Sequence, residues 1–252
     1  MRWLVLLLAL VAMPLKAEVV VLGLSKDKVA ITTSFEGSEI LIFGAVKRES
    51  PIPEGDPLGV VVTVAGPSEP VVIRRKDRRL GIWVNNESVT MDGAPSFYAV
   101  ATSAPLREVL TPGEDLRKQV SIPRALRSAG ALHEFKDTAA FTEALIRIRK
   151  RNGSYVVNEG GVAVDEQTLF RTSIKLPANL TEGDYVTRIF LTREGRVVSQ
   201  YETVIDVRKV GLERWLYTLS REKPLWYGLM SLAIAIAAGW GASAAFRVLQ
   251  RS

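Results

Sequence analysis

The chain has 252 residues, 47% apolar and 24% charged, with 33 Lys and Arg against 27 Asp and Glu and a single His. It contains no Cys, which excludes disulfides, Cys-ligated metal sites and thiol chemistry. Arg2, Lys16, Arg247 and Arg251 lie outside residues 18–223, which leaves 29 cations against 27 carboxylates there, a net of +2 that excludes a nucleic-acid-binding balance.

Residues 1–17 give Arg2, an apolar run from Trp3 to Met13, then Pro14, Leu15, Lys16 and Ala17. A basic start, an apolar run too short to span a membrane and a small residue at the cut position predict a signal peptide. Leu15 is larger than the Ala usual three places before a new terminus, so retention as a second anchor is the alternative. In either case the segment directs export, which places the domain that follows outside the cytoplasm and residues 248–252 inside. Arg208, Lys209, Arg214, Arg221 and Lys223 on the exported flank weigh the other way under the positive-inside rule.

Residues 18–104 read as an N-terminal β block. Residues 29–35 and 39–46 are β-branched or aromatic runs joined by Glu36-Gly37-Ser38, which predicts a hairpin. Further strands are predicted at 58–65, 71–75, 81–84 and 97–102, separated by Pro- and Gly-rich turns at the spacing of an antiparallel sandwich. Residues 105–152 change character. Thr111-Pro112-Gly113-Glu114 and Ile122-Pro123 mark two helix starts, and 135–150 is a longer helix with Phe141, Leu145 and Ile148 on one side. Arg147, Arg149, Lys150 and Arg151 suit the negative end of its dipole, and Asn152-Gly153 stops it.

A second β block follows at 153–207, with strands at 169–176, 185–192 and 197–207 and a Glu194-Gly195 turn between the last two. Tyr185 closes a Leu-x-x-Gly-x-Tyr arrangement that enters a strand as the tyrosine corner of immunoglobulin-like sandwiches does. The fold class is therefore mainly β: immunoglobulin-like antiparallel sandwich or sandwiches, with a helical segment between the two β blocks. One sandwich with an insertion and two separate sandwiches both fit.

Residues 208–223 predict a juxtamembrane helix whose apolar face carries Leu212, Trp215, Leu216 and Leu219. Residues 224–247 predict a transmembrane helix. The 22 residues 225–246 carry no charge, and at roughly 1.5 Å per residue they reach about 33 Å, enough for a hydrocarbon core of about 30 Å. Trp226 and Tyr227 sit at headgroup level, with Arg247 and Arg251 beyond the other end. Ala233, Ala237, Gly241 and Ala245 recur every fourth residue, a small-residue stripe of the kind that lets a second helix pack closely. The lipid bilayer is thus one partner and an integral-membrane protein the expected other.

No phosphate loop, dinucleotide fingerprint or nucleophile elbow is present. His133 lacks a second His or Cys for a zinc site, so no metal, cofactor or catalytic residue is expected and the chain reads as a non-enzyme. The densest charge run is Arg74-Arg75-Lys76-Asp77-Arg78-Arg79. Guanidinium groups suit planar oxyanions, so Arg74, Arg75, Arg78 and Arg79 form a candidate patch for an anion, an acidic partner or lipid headgroups. Strand alternation lets only part of the run converge.

Val29-Ala30-Ile31-Thr32-Thr33-Ser34-Phe35-Glu36-Gly37, Ile42-Phe43-Gly44-Ala45, Gly81-Ile82-Trp83-Val84-Asn85, Pro95-Ser96-Phe97-Tyr98-Ala99, Leu169-Phe170-Arg171 and Gly239-Trp240 resemble a family of alphaproteobacterial transmembrane proteins. The likeness runs from about residue 19 through the span. The family carries no biochemical activity and no catalytic residues to transfer. What the resemblance implies is a Gram-negative inner membrane, a periplasmic domain and an accessory role beside a transporter such as a sulfite-exporter-type permease. The alternative is a periplasmic module that binds a small oxyanion or acidic ligand.

Overall fold

A computed structural model describes residues 19–26, 28–31, 37–48, 51–52, 55, 57–128, 138–209 and 212–249. The predicted signal peptide and His133 lie outside the described residues. The described residues form two compact units, one within 1–29 and 36–207 and the other within 30–35 and 208–252.

In chain order the strands are β1 (Val19–Leu24), β2 (Lys28–Ile31), β3 (Ser38–Lys47), β4 (Gly59–Ala65), β5 (Ser68–Arg79), β6 (Ile82–Pro95) and β7 (Tyr98–Thr102). Four helices follow, α1 (Leu106–Val109), α2 (Pro112–Lys118), α3 (Ile122–Ser128) and α4 (Thr138–Arg151). Then come β8 (Tyr155–Asn158), β9 (Val162–Asp165), β10 (Leu169–Leu176), β11 (Gly183–Arg193) and β12 (Arg196–Lys209), and the helices α5 (Leu212–Glu222) and α6 (Pro224–Leu249).

The fold is mostly β. Sheet A has the order β1-β3-β10-β9, sheet B the order β2-β12-β11-β4-β7-β8, and β5 and β6 form a two-stranded ribbon. Every pairing with a resolved register is antiparallel except β7 with β8, which run parallel. The two β blocks do not stand apart. Strand β10 pairs β3 and β11 pairs β4, so both blocks contribute to both sheets. The run read at 29–35 is a strand over 28–31, with 32–36 outside the described residues, and that read at 39–46 is a strand over 38–47; β2 and β3 lie in different sheets and do not pair as the expected hairpin would. Strand β2 pairs with β12 and β3 with β10, both far along the chain, which a local turn signal cannot specify.

Sheet B is the middle of three layers. Along β4, Val60, Val62 and Val64 point one way and pair with Leu191, Ile189 and Thr187, while Val61 points the other way beside Phe190. The first face lies toward sheet A, whose β10 contacts β7 and whose β9 contacts β4. Ile40, Ile42, Phe170, Ile174 and Leu176 supply the buried side of sheet A. On the other face Val61, Tyr98, Val100, Tyr155 and Phe190 share one cluster with Val109, Leu110, Ile122, Leu126, Phe141 and Leu145 of the helical segment and with Ile73, Val89 and Met91 of the ribbon. A strand covered on both sides has no face for polar residues, hence the uninterrupted Gly-Val-Val-Val-Thr-Val-Ala of β4. Gly44 marks a close approach: a Cβ there would stand 2.5 Å from the Phe170 ring and 2.8 Å from the Val21 carbonyl oxygen.

The helix starts read at Thr111 and Ile122 are in place, while the start read at 135 lies outside the described residues. Thr111 caps α2, its hydroxyl accepting from the Glu114 N–H at 3.4 Å with Pro112 in the first turn. The Glu194-Gly195 turn joins β11 to β12 with both residues at positive φ. Three buried tyrosines fasten strands to the segments beside them. Tyr98 Oη donates to the Val120 carbonyl (2.8 Å), Tyr155 Oη to Pro95 (2.8 Å) and Tyr185 Oη to Thr181 (2.9 Å). The last is the bond a tyrosine corner makes. Arg188 crosses the same interior and donates to the Lys118 and Gln119 carbonyls at 3.0 and 3.2 Å, satisfying the end of α2 where Gln119 turns left-handed.

Burial raises the pKa of all three phenols, that of Tyr155 to about 12. The folded state holds these protons more tightly than the unfolded chain, so their contribution is complete below pH 10 and lost as pH rises through the raised folded values, about 12 for Tyr155. For Tyr155 this amounts to roughly 2–3 kcal/mol. Urea titrations across alkaline pH should show a flat midpoint up to about pH 10 and a steep fall beyond it. Tyr155→Phe should be about 1–2 kcal/mol less stable at neutral pH, because the Pro95 carbonyl loses its donor, and should fall less steeply above pH 10.

Candidate functional site

The β5–β6 ribbon carries the basic run. Its root is held in the core by Ile73, Val89, Met91 and Ala94, and its distal half is exposed from Arg74 to Gly81. Sequence reading ends the first strand at Arg75 and starts the next at Gly81, but β5 continues through Arg79 and β6 begins at Ile82. The register places Arg75 opposite Glu87, Lys76 opposite Asn85, Arg78 opposite Trp83 and Arg79 opposite Ile82, so each cation faces a residue of a different kind. Opposing neutral or acidic partners remove the like-charge repulsion that would otherwise end the pairing.

The four arginines do not converge. Arg74 and Arg75, with Lys76, line a groove of about 470 Å³ whose other wall is α4, contributing Phe141, Glu143 and Arg147. Arg75 forms an ion pair with Glu87, and its guanidinium stacks 5.4 Å from the Phe141 ring centre. Arg78 and Arg79 sit at the far end of the ribbon, where Arg79 Nη2 donates to Asn86 Oδ1 at 2.8 Å and Asp77 Oδ1 accepts from the Arg78 N–H at 2.8 Å. Arg147, which sequence reading assigned to the helix dipole, joins the groove; its spacing of one turn from Glu143 and two from Ala140 was the available signal.

The ribbon tip is built against ordinary turn chemistry. Leu80 (φ +50°) and Gly81 (φ +86°) make a two-residue turn with both φ positive, a type I′ geometry that favours Asn-Gly. A Leu in that region costs on the order of 1 kcal/mol. Leu80 is fully exposed and so packs on nothing that would offset this, and Ile82 and Trp83 beside it are 65% and 68% exposed.

Sheet A has a second exposed apolar surface. Its outer face carries Val21, Leu41, Phe43 and Leu169, each 41–54% exposed, and all but Leu41 line a depression of about 420 Å³ rimmed by Asp165 and Arg171. The Phe43 ring lies over Gly23, where a Cβ would stand 2.4 Å from it. Sequence reading missed this face. The signal was the run Ile40-Leu41-Ile42-Phe43, apolar at both parities although only Ile40 and Ile42 are buried. A third hollow of about 440 Å³ brings Glu108 and Glu194 beside Ser103 and Thr192. Among the described residues no group of three or more His, Asp or Glu could hold a metal ion.

In the second unit, residues 224–243 of α6 form one helix long and apolar enough to cross a membrane, with mean hydropathy 1.5 and none of that window buried. Ala233, Ala237 and Gly241 lie exposed on it, and Ala245 falls within the same helix. A Cβ at Gly241 would meet no atom within 4 Å. Helix α5 leaves Trp215 and Tyr217 exposed and breaks at Lys223 before α6 begins.

A family model described as Putative transmembrane protein (Alph_Pro_TM) matches residues 19–248, which takes in both β blocks, the helical segment and the span. No curated protein matches the chain.

Since Leu80 packs on nothing, Leu80→Asn should raise stability by about 0.5–1 kcal/mol by relieving the left-handed strain. Chemical denaturation of the two proteins measures this; a destabilised variant would mean that Leu80 makes a contact in the folded chain.

Proposed function

The chain belongs to this family of transmembrane proteins, and from that premise we propose that it is an accessory protein which docks an integral-membrane partner. In this reading the chain crosses the bacterial inner membrane once through α6, with the β domain in the periplasm and the short C-terminal tail in the cytoplasm. The partner suggested by the family resemblance is a transporter of the sulfite-exporter permease type, and the β domain contributes no catalysis.

One observation carries the reading: sheet A exposes Val21, Leu41, Phe43 and Leu169 together on a face that alternation would make polar. Clustered apolar surface of this kind marks a protein contact. Ala233, Ala237 and Gly241 supply a smooth side to the span, and a Cβ at Gly241 would meet no described atom within 4 Å. Gentle solubilisation of the full chain from its native membrane should therefore recover a stoichiometric membrane protein. Phe43→Glu should cut that recovery roughly tenfold or more while leaving the melting temperature within a few degrees, because the ring is 44% exposed. Ala237→Leu with Gly241→Leu should weaken it as well. Recovery of the chain alone, or recovery untouched by either change, would defeat the proposal.

The groove between β5 and α4 favours a second reading, capture of a small oxyanion. Arg74, Arg75, Lys76 and Arg147 face it with Glu143 as the acid among its lining residues. Calorimetry at low salt with sulfite, sulfate and phosphate should then give binding that is lost in Arg74→Ala and Arg147→Ala. No heat with any of the three anions would exclude this reading.

A further inference from the structure

We propose that the tip of the β5–β6 ribbon is a lipid-contacting finger: Leu80, Ile82 and Trp83 enter the interfacial layer of an anionic bilayer while Arg78 and Arg79 bind its headgroup phosphates. This contact is separate from the α6 span and independent of the accessory reading.

The tip combines the two things an interfacial element needs. Its apolar residues are exposed among the described residues, Leu80 fully and Ile82 and Trp83 about two-thirds. Trp is the side chain best suited to the headgroup boundary, with an apolar body and a polar N–H. The register sets Arg78 directly across from Trp83 and Arg79 directly across from Ile82, so each face of the ribbon end presents one cation beside one apolar side chain. Those pairs place charge at phosphate level when the apolar tip is inserted. Along the exposed arm, Arg74, Arg75, Lys76, Arg78 and Arg79 stand against Asp77 and Glu87. Both carboxylates are already engaged, Asp77 with the Arg78 N–H and Glu87 with Arg75.

Backbone geometry supports a selected feature. A type I′ turn would be less strained with Asn at position 80, yet the chain keeps a Leu that contributes nothing to its own packing. A protein partner would be an alternative occupant, but the tip is a narrow convex ribbon end, whereas stable protein interfaces need roughly 800 Å² a side. A bilayer accepts such a shape without complementarity. The span of the same chain keeps a lipid surface at high local concentration, so a weak finger suffices.

The chain has no Cys, so a single nitroxide can be placed without background by Leu80→Cys in the full chain. A second label at Arg196→Cys, an exposed position at the start of β12, serves as the reference. In nanodiscs containing an anionic phospholipid, the label at 80 should be relaxed by oxygen in preference to a water-soluble nickel chelate, and the label at 196 by the chelate. In zwitterionic nanodiscs, or at high salt, the label at 80 should return to the aqueous pattern, since screening cuts the phosphate contact. Arg78→Ala and Arg79→Ala should each lower the ratio of inserted to free tip about fivefold. An aqueous label at 80 in anionic nanodiscs overturns the proposal. So does a label excluded from both relaxants, which would mean a protein contact, or equal lipid character at 80 and 196, which would mean unspecific adsorption.

Discussion

Double burial of sheet B is the constraint on which the domain depends. Val61 and Val62, adjacent in β4, each lie in a different core, one beneath the helical segment and the other beneath sheet A. Neither core can form without the strands they share, so the helical segment and sheet A stand or fall together. Burying a side chain such as Val62 or Phe190 contributes roughly 1.5–3 kcal/mol, and β4, β7 and β11 present such residues at successive positions. This explains why the insertion between β7 and β8 is no appendage: it caps a face that would otherwise expose Val61, Val100 and Phe190 to water.

Arg188 and Tyr98 inside that arrangement are held by directed bonds. Arg188 stands among apolar neighbours on the covered face, but its guanidinium meets the Lys118 and Gln119 carbonyls and lies 5.5 Å from the Phe190 ring centre. The end of α2 thereby obtains the donors its last carbonyls lack, and the cation obtains acceptors. Tyr98 completes the group, donating to Val120 and accepting from Arg188 at 3.3 Å. The insertion is tied to the sheet by direction as well as by burial.

Much of the apolar surface left outside these cores lies on the outer face of sheet A, at the ribbon tip, and along α5 and α6. Strands β3 and β10 alternate as half-buried strands should, which sets off the apolar residues on their outer face. At the tip, exposure coincides with backbone strain at Leu80, a pairing that stability alone would remove.

The sequence by itself determined whatever depends on a few adjacent residues. The uncharged run of α6, the Thr111 cap with Pro112, strand β10 at 169–176, the Glu194-Gly195 turn and the corner bond of Tyr185 are all local in origin. Tertiary structure decided what depends on neighbours. Strand periodicity says that β2 and β3 each have a buried face, but not that they join different sheets, because pairing energy comes from residues far along the chain. The division of the arginine run followed from the same cause: Arg75 found Glu87 and Phe141, while Arg78 and Arg79 were carried to the tip by a ribbon longer than its turn signals suggested. Leu41, Phe43 and Leu80 read as ordinary strand or turn residues in the sequence. Only the fold, by covering other surfaces and leaving these bare, set them apart.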